Sequence, residues 1–127
     1  MTDERVEGLQ GQRLLIVEDD YMIATDLTRW FEDAGAEVVG PAGSVSKALA
    51  LVTSNAGRLD AAVLDVNLRD QKVFPVADAL SKAGVPFIFA TGYDAHIIPD
   101  TYAEVPRSEK PVDVMQLARL LKRVVKQ

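Results

Sequence analysis

The chain has 127 residues, of which 48% are hydrophobic and 26% are charged, and its formal net charge is −5. This size and balance are typical of one globular domain, and the negative charge argues against a nucleic-acid partner bound through its phosphates. The lack of cysteine excludes disulfides and thiolate metal sites, and a single histidine, His96, excludes the usual zinc sites. Without a signal peptide or an apolar run near the roughly 20 residues that span a bilayer, we expect a cytoplasmic protein with no membrane partner.

The chain divides into a short polar start and one domain. Residues 1–12 are mostly polar and predict a flexible N-terminal arm, and residues 13–127 form the predicted domain. In the domain, short apolar runs typical of buried strands alternate with helical patterns. The strands are predicted at 14–17, 37–40, 61–65, 86–90 and 105–108, and the helices after residue 20, after 44, over 73–83 and after 111.

This alternation predicts a (βα)5 fold, in which helices cover both faces of a doubly wound, parallel, five-stranded sheet. Pro41 is expected to begin a turn over residues 41–43. Residues 94–106 carry little apolar pattern, and Pro99 interrupts them, so the fourth helix is expected to be reduced or irregular, at most a short helix around 95–98.

Polar residues follow four of the predicted strands, and the carboxyl ends of parallel strands meet at one edge, where ligands bind. Glu18 and Asp19 follow the first strand and Asp65 ends the third, whereas Thr91 and Lys110 follow the fourth and fifth. One acid at a strand end is an ordinary turn or capping residue, but clustered acids repel one another unless a cation is present. Carboxylates suit Mg²⁺, and Asp65 could then accept a phosphoryl group whose oxygens Lys110 and Thr91 would contact.

Two motifs resemble response-regulator receiver domains of two-component signalling. Residues 14–20, LLIVEDD, resemble the first strand of that family with its acid pair, and residues 63–68, VLDVNL, resemble its phosphoacceptor strand. The resemblance extends from residue 13 to about residue 126 and implies a flavodoxin-like receiver fold. It also implies a role for each candidate residue: Asp65 as phosphoacceptor, Glu18, Asp19, Asp65 and the backbone carbonyl of Asn67 as Mg²⁺ ligands, Thr91 as the switch hydroxyl, and Lys110 as the lysine that precedes a proline.

The sequence also departs from the commonest receiver pattern. Gly92 stands where a small alanine is usual, and Arg107 stands where the family often has a switching aromatic residue. Residues 89–93, FATGY, resemble the signature of a subgroup nicknamed FATGUY. In that subgroup the loop after the threonine is thought to carry the response.

The resemblance implies a phosphorelay signalling domain rather than an enzyme, with slow self-dephosphorylation. Its implied partners are a histidine kinase or a histidine phosphotransfer protein as donor and an unknown downstream protein, unless the domain acts as a phosphate sink. It is expected to be a monomer or a weak dimer. An alternative is a receiver-like interaction module that is never phosphorylated. A flavin carrier or small hydrolase is disfavoured, because the loop after the first strand is acidic and lacks the glycines of a phosphate-binding loop.

Overall fold

One parallel sheet of five strands organises the protein. The structure, a computed structural model, describes residues 8–69, 71–92 and 97–125. The strands lie in the order β2-β1-β3-β4-β5, and every neighbouring pair is parallel. They are β1 (Arg13–Val17), β2 (Glu37–Ala42), β3 (Ala61–Asp65), β4 (Phe87–Thr91) and β5 (Arg107–Glu109). The helices are α1 (Tyr21–Asp33), α2 (Val45–Ser54), α3 (Phe74–Lys82) and α4 (Val114–Val124).

The predicted doubly wound sheet and the reduced fourth helix are both confirmed. The described part of the β4–β5 connection contains a 3₁₀ helix, Asp100–Tyr102, and Ile97 is also in 3₁₀ conformation. The short helix expected around 95–98 falls partly outside the described residues. Tyr102 anchors this connection, because its buried ring packs against Phe87 and Phe89 of β4 and its hydroxyl donates to Asp78 of α3.

Each face of the sheet is covered by two helices. Alternate residues of a strand point to opposite faces, so Leu15 and Val17 join the core under α2 and α3, whereas Leu14 and Ile16 join the core under α1 and α4. The sheet is therefore buried on both sides, and its polar chemistry is confined to the strand ends. No helix of the described part of the chain is long and apolar enough to cross a bilayer.

The expected turn at Pro41 is wrong, because β2 continues through Pro41 to Ala42. Proline donates no backbone hydrogen bond, and it is tolerated here because β2 is an edge strand. Gly40 makes the irregular step before it with a φ of 99°, where a Cβ would lie 2.9 Å from the Ala42 nitrogen. The extra pairing matters for the site, since Glu18 donates its backbone N–H to the Ala42 carbonyl at 2.9 Å.

The N-terminal boundary and the last strand also differ in detail from the sequence prediction. Leu9, placed in the predicted arm, is fully buried in the core beneath α1 and α4. Gly11 donates a backbone hydrogen bond to Gly35, so the chain is already attached to the domain before β1. The arm remains a prediction for residues 1–7, which lie outside the described residues. The fifth strand begins at Arg107, two residues later than expected.

Candidate functional site

Three carboxylates meet at the carboxyl ends of β1 and β3. Glu18 and Asp19 follow β1, Asp65 ends β3, and one oxygen from each lies within 4.8 Å of the others. Glu18 and Asp65 are each only 4% exposed, whereas Asp19 is partly exposed at the outer side of the cluster. The third acid of the run, Asp20, instead caps α1 by accepting from the Ile23 N–H at 3.1 Å.

A lysine that directly follows β5 completes the cluster. The Lys110 ammonium lies 3.2 Å from an oxygen of Asp65 and 3.3 Å from an oxygen of Glu18. Its backbone N–H donates to the Thr91 carbonyl at 2.8 Å, which fixes the lysine beside the end of β4. Partial burial opposes its charge, but the negative charges of Asp65 and Glu18 outweigh that effect and raise the pKa of Lys110.

Glu18 is the most perturbed acid of the cluster. Burial, and then the hydrogen bond and negative charge of Asp65, raise its pKa from 4.5 to about 7. The Asp20 N–H, 3.1 Å from a Glu18 oxygen, and the Lys110 charge act in the opposite direction without cancelling the rise. Two buried acids therefore compete for one lysine, an arrangement that favours a further cation.

Thr91 and Asn67 lie on either side of Asp65. Thr91 ends β4, next to the strand that carries Asp65, and its side chain is 1% exposed. Among the described residues its hydroxyl has no hydrogen-bond partner, so it can donate to a ligand. Asn67 donates its backbone N–H to an Asp65 oxygen at 3.3 Å. The predicted role of its backbone carbonyl as a metal ligand stays a prediction.

Two cationic side chains of the β3–α3 loop lie at the site but were not among the residues predicted from the sequence. Arg69 approaches Asp19, with Nε 3.8 Å from Oδ2. Lys72 donates to the side-chain oxygen of Asn67 at 2.6 Å. Their position shortly after the candidate phosphoacceptor was the only sequence signal that could have indicated them.

The residues present fit a hard divalent cation. All three clustered side chains offer carboxylate oxygens, the ligand type that Mg²⁺ prefers. The buried Thr91 hydroxyl, on the strand next to that of Asp65, has no hydrogen-bond partner among the described residues and could donate to a polar group bound there. Glu18, Asp19 and Asp65 would hold the ion.

The raised pKa of Glu18 predicts a pH dependence of stability in metal-free protein. Because the folded pKa of about 7 exceeds the ordinary 4.5, the stabilisation by protonated Glu18 is complete below 4.5 and is lost as the pH rises through 7. The free energy of unfolding should therefore fall over this range relative to Glu18→Gln, which cannot ionise. Urea unfolding of both proteins in a chelator measures the difference. A constant difference across the range would contradict the assignment.

Comparisons with known proteins place the chain in a family. No protein-family model matches the sequence. The fold is that of the receiver domain of the hybrid histidine kinase CckA, with a TM-score of 0.75, 23% identity and coverage of 90% of this chain and 99% of that one. SdrG from Sphingomonas melonis Fr1 is 38% identical, with a TM-score of 0.76 and coverage of 91% of this chain and 97% of that one. The chain belongs to the response-regulator receiver domains.

Two further comparisons show proteins similar to this receiver domain. A BeF3-activated conformation of SdrG is 37% identical, with a TM-score of 0.72 and coverage of 89% of this chain and 96% of that one. The sensory transduction protein LytT of Bacillus anthracis is 30% identical over 118 residues, which make up 89% of this chain but 47% of that protein. The receiver domain thus spans about half the length of the curated relatives it matches. Its assignment to the FATGUY subgroup stays a prediction.

Proposed function

We propose that this receiver domain accepts a phosphoryl group on Asp65 in the presence of Mg²⁺ and thereby switches a signalling interaction. The observation that carries the proposal is the Lys110 ammonium, which contacts both Asp65 and Glu18 inside a cluster of three carboxylates. An isolated acid would not need this arrangement. Phosphoryl transfer does, because it depends on positioning and on neutralising charge.

Each side chain of the site would have a separate role in phosphoryl transfer. An Asp65 oxygen attacks the phosphorus of a phosphohistidine or of a small acyl phosphate; a P–O bond forms, the bond to the donor breaks, and the donor keeps the electron pair. Lys110, already 3.2 Å from Asp65, would contact the incoming phosphoryl oxygens, and the Thr91 hydroxyl would donate to them. Mg²⁺ held by Glu18, Asp19 and Asp65, with the Asn67 carbonyl, would neutralise the charge of the acids and of the phosphoryl group. We expect slow self-dephosphorylation.

The response is expected in the β4–β5 connection. Thr91 directly precedes this connection, whereas Lys110 follows β5, and their backbones are joined by the 2.8 Å hydrogen bond from the Lys110 N–H to the Thr91 carbonyl. A phosphoryl group contacting both side chains would therefore act at once on both sides of the segment formed by this connection and β5. We propose that the loop after Thr91 carries the change to a downstream protein, or that the domain serves as a phosphate sink.

The donor and the setting are proposed by analogy with the family. A histidine kinase or a histidine phosphotransfer protein would supply the phosphoryl group, in the cytoplasm, to a monomer or weak dimer. SdrG, a relative 38% identical, is described in a BeF3-activated conformation, and this supports a response of the same kind here.

Incubation with acetyl phosphate tests the proposal without a cognate kinase. With Mg²⁺ present, the intact mass should rise by one phosphoryl group, and a chelator should prevent the gain because the acid cluster then lacks its cation. An unchanged mass with Mg²⁺ would contradict the proposal and favour the alternative of an interaction module that is never phosphorylated.

A further inference from the structure

Arg69 lies close to the acid cluster and has no part in the function proposed above. It stands four residues after Asp65 in the loop between β3 and α3. Its Nε is 3.8 Å from Asp19 Oδ2, and its side chain is 85% exposed, against 18% for Asp19. A 3.8 Å contact made by so exposed an arginine contributes little to stability, so the contact is more informative about the site than about the fold.

The loop holds the backbone around Arg69 in place. Asn67 pairs with Lys72 in an antiparallel bridge, and the Leu68 N–H donates to the Gln71 carbonyl at 3.1 Å. Leu68 is also 2% exposed and packs in the core under α2 and α3. Arg69 therefore projects from a closed loop whose backbone starts at the phosphoacceptor strand.

The net charge of the metal-bound, phosphorylated site is balanced only when Arg69 is counted. With all three carboxylates ionised, as a bound cation would favour, they face Lys110 and Arg69 with one negative charge in excess. A divalent ion would reverse the excess to one positive charge, and a phosphoryl group on Asp65 would add about one negative charge and restore neutrality. If Arg69 were absent, the phosphorylated site would keep an uncompensated negative charge.

The geometry of the contact leaves the arginine able to bind a second group. Arg69 meets Asp19 through Nε, and its terminal nitrogens have no partner within the described ranges. The planar guanidinium fork is suited to binding two oxygens of a phosphoryl group at once. The 3.8 Å contact with Asp19 is longer than a hydrogen bond, and the arginine side chain is 85% exposed, so little holds it in its present orientation.

We propose that Arg69 is a phosphoryl-binding residue: it contacts Asp19 in the unphosphorylated domain and turns its terminal nitrogens to the phosphoryl group on Asp65. This inference rests on the proposed function. It predicts that the Arg69 charge has opposite effects on two ligands. A positive charge beside Asp19 weakens the binding of Mg²⁺, whereas the same charge strengthens the binding of the phosphoryl group.

Two NMR titrations test these opposite effects. One measures the affinity for Mg²⁺ alone, and the other measures the affinity for beryllofluoride at saturating Mg²⁺. Arg69→Gln should bind Mg²⁺ about two- to fivefold more tightly and beryllofluoride about two- to fivefold more weakly, as expected for one exposed charge. Arg69→Lys should restore the Mg²⁺ affinity but only part of the beryllofluoride affinity, because it keeps the charge and loses the fork. The control is Arg123→Gln, which removes the same charge from the exposed far end of α4 and should change neither affinity.

Affinities that stay unchanged in Arg69→Gln, or that both move in one direction, would overturn the role of Arg69. If the wild-type protein itself failed to bind beryllofluoride, the proposed function would fall and this inference with it. The two failures are therefore distinguished by the wild-type titration.

Discussion

Asp65→Asn should abolish phosphoryl uptake from acetyl phosphate. The amide keeps the size of the side chain but has no anionic oxygen to attack phosphorus. The fold should persist, because Lys110 keeps its contact with Glu18 at 3.3 Å and the strand core around residue 65 is unchanged. Intact mass after incubation with Mg²⁺ and acetyl phosphate measures the loss, and circular dichroism checks the fold.

Asp33→Asn is a matched control for this change. Asp33 is an exposed acid at the last residue of α1, so its substitution makes the same chemical replacement away from the site. It should take up the phosphoryl group at the wild-type rate. A mass gain that survived in Asp65→Asn would show that another side chain is the acceptor.

Lys110→Met should slow phosphorylation by about 10²-fold, the usual cost of removing one preorganised stabilising group from a reacting site. Methionine keeps most of the apolar length of the side chain but removes the ammonium that lies 3.2 Å from Asp65. Glu18 and Asp65 would then face each other without a protein cation, which should make the site depend more strongly on Mg²⁺. Phosphorylation rates measured over a range of Mg²⁺ concentrations report both effects.

The comparison variant for the lysine is Lys82→Met. Lys82 is exposed at the last residue of α3, and the substitution removes the same charge from the surface. Its phosphorylation rate should match that of the wild type. Equal rates in Lys110→Met and Lys82→Met would show that the contact between Lys110 and Asp65 plays no part in the transfer.

The sheet and the edge where the acids meet could be predicted because the apolar pattern of the sequence indicates which strands are buried and that they run parallel. Runs such as 14–17 and 61–64 are apolar on both faces, which requires helices on both sides of a parallel sheet. Once the strands are parallel, Glu18, Asp65 and Lys110 must share an edge, and the structure places the lysine ammonium within 3.3 Å of one oxygen of each acid.

The details that could not be predicted depend on loop and edge geometry. Pro41 is a normal turn residue by its chemistry, and only its place on an edge strand lets β2 continue through it. Leu9 is one apolar residue among polar neighbours, so no periodic pattern indicates its burial. The contact between Arg69 and Asp19 joins two loops across the site, and local sequence does not encode such a distance.

The most direct test is to map the modified residue. After phosphorylation by acetyl phosphate, borohydride reduces an aspartyl phosphate to homoserine, which peptide mass spectrometry locates. The phosphoacceptor role predicts homoserine at position 65 in the wild-type protein and at no other acid. Homoserine at position 19, hydroxynorvaline (the corresponding product of a glutamyl phosphate) at position 18, or neither product in any peptide of a protein that has gained the phosphoryl mass, would contradict it.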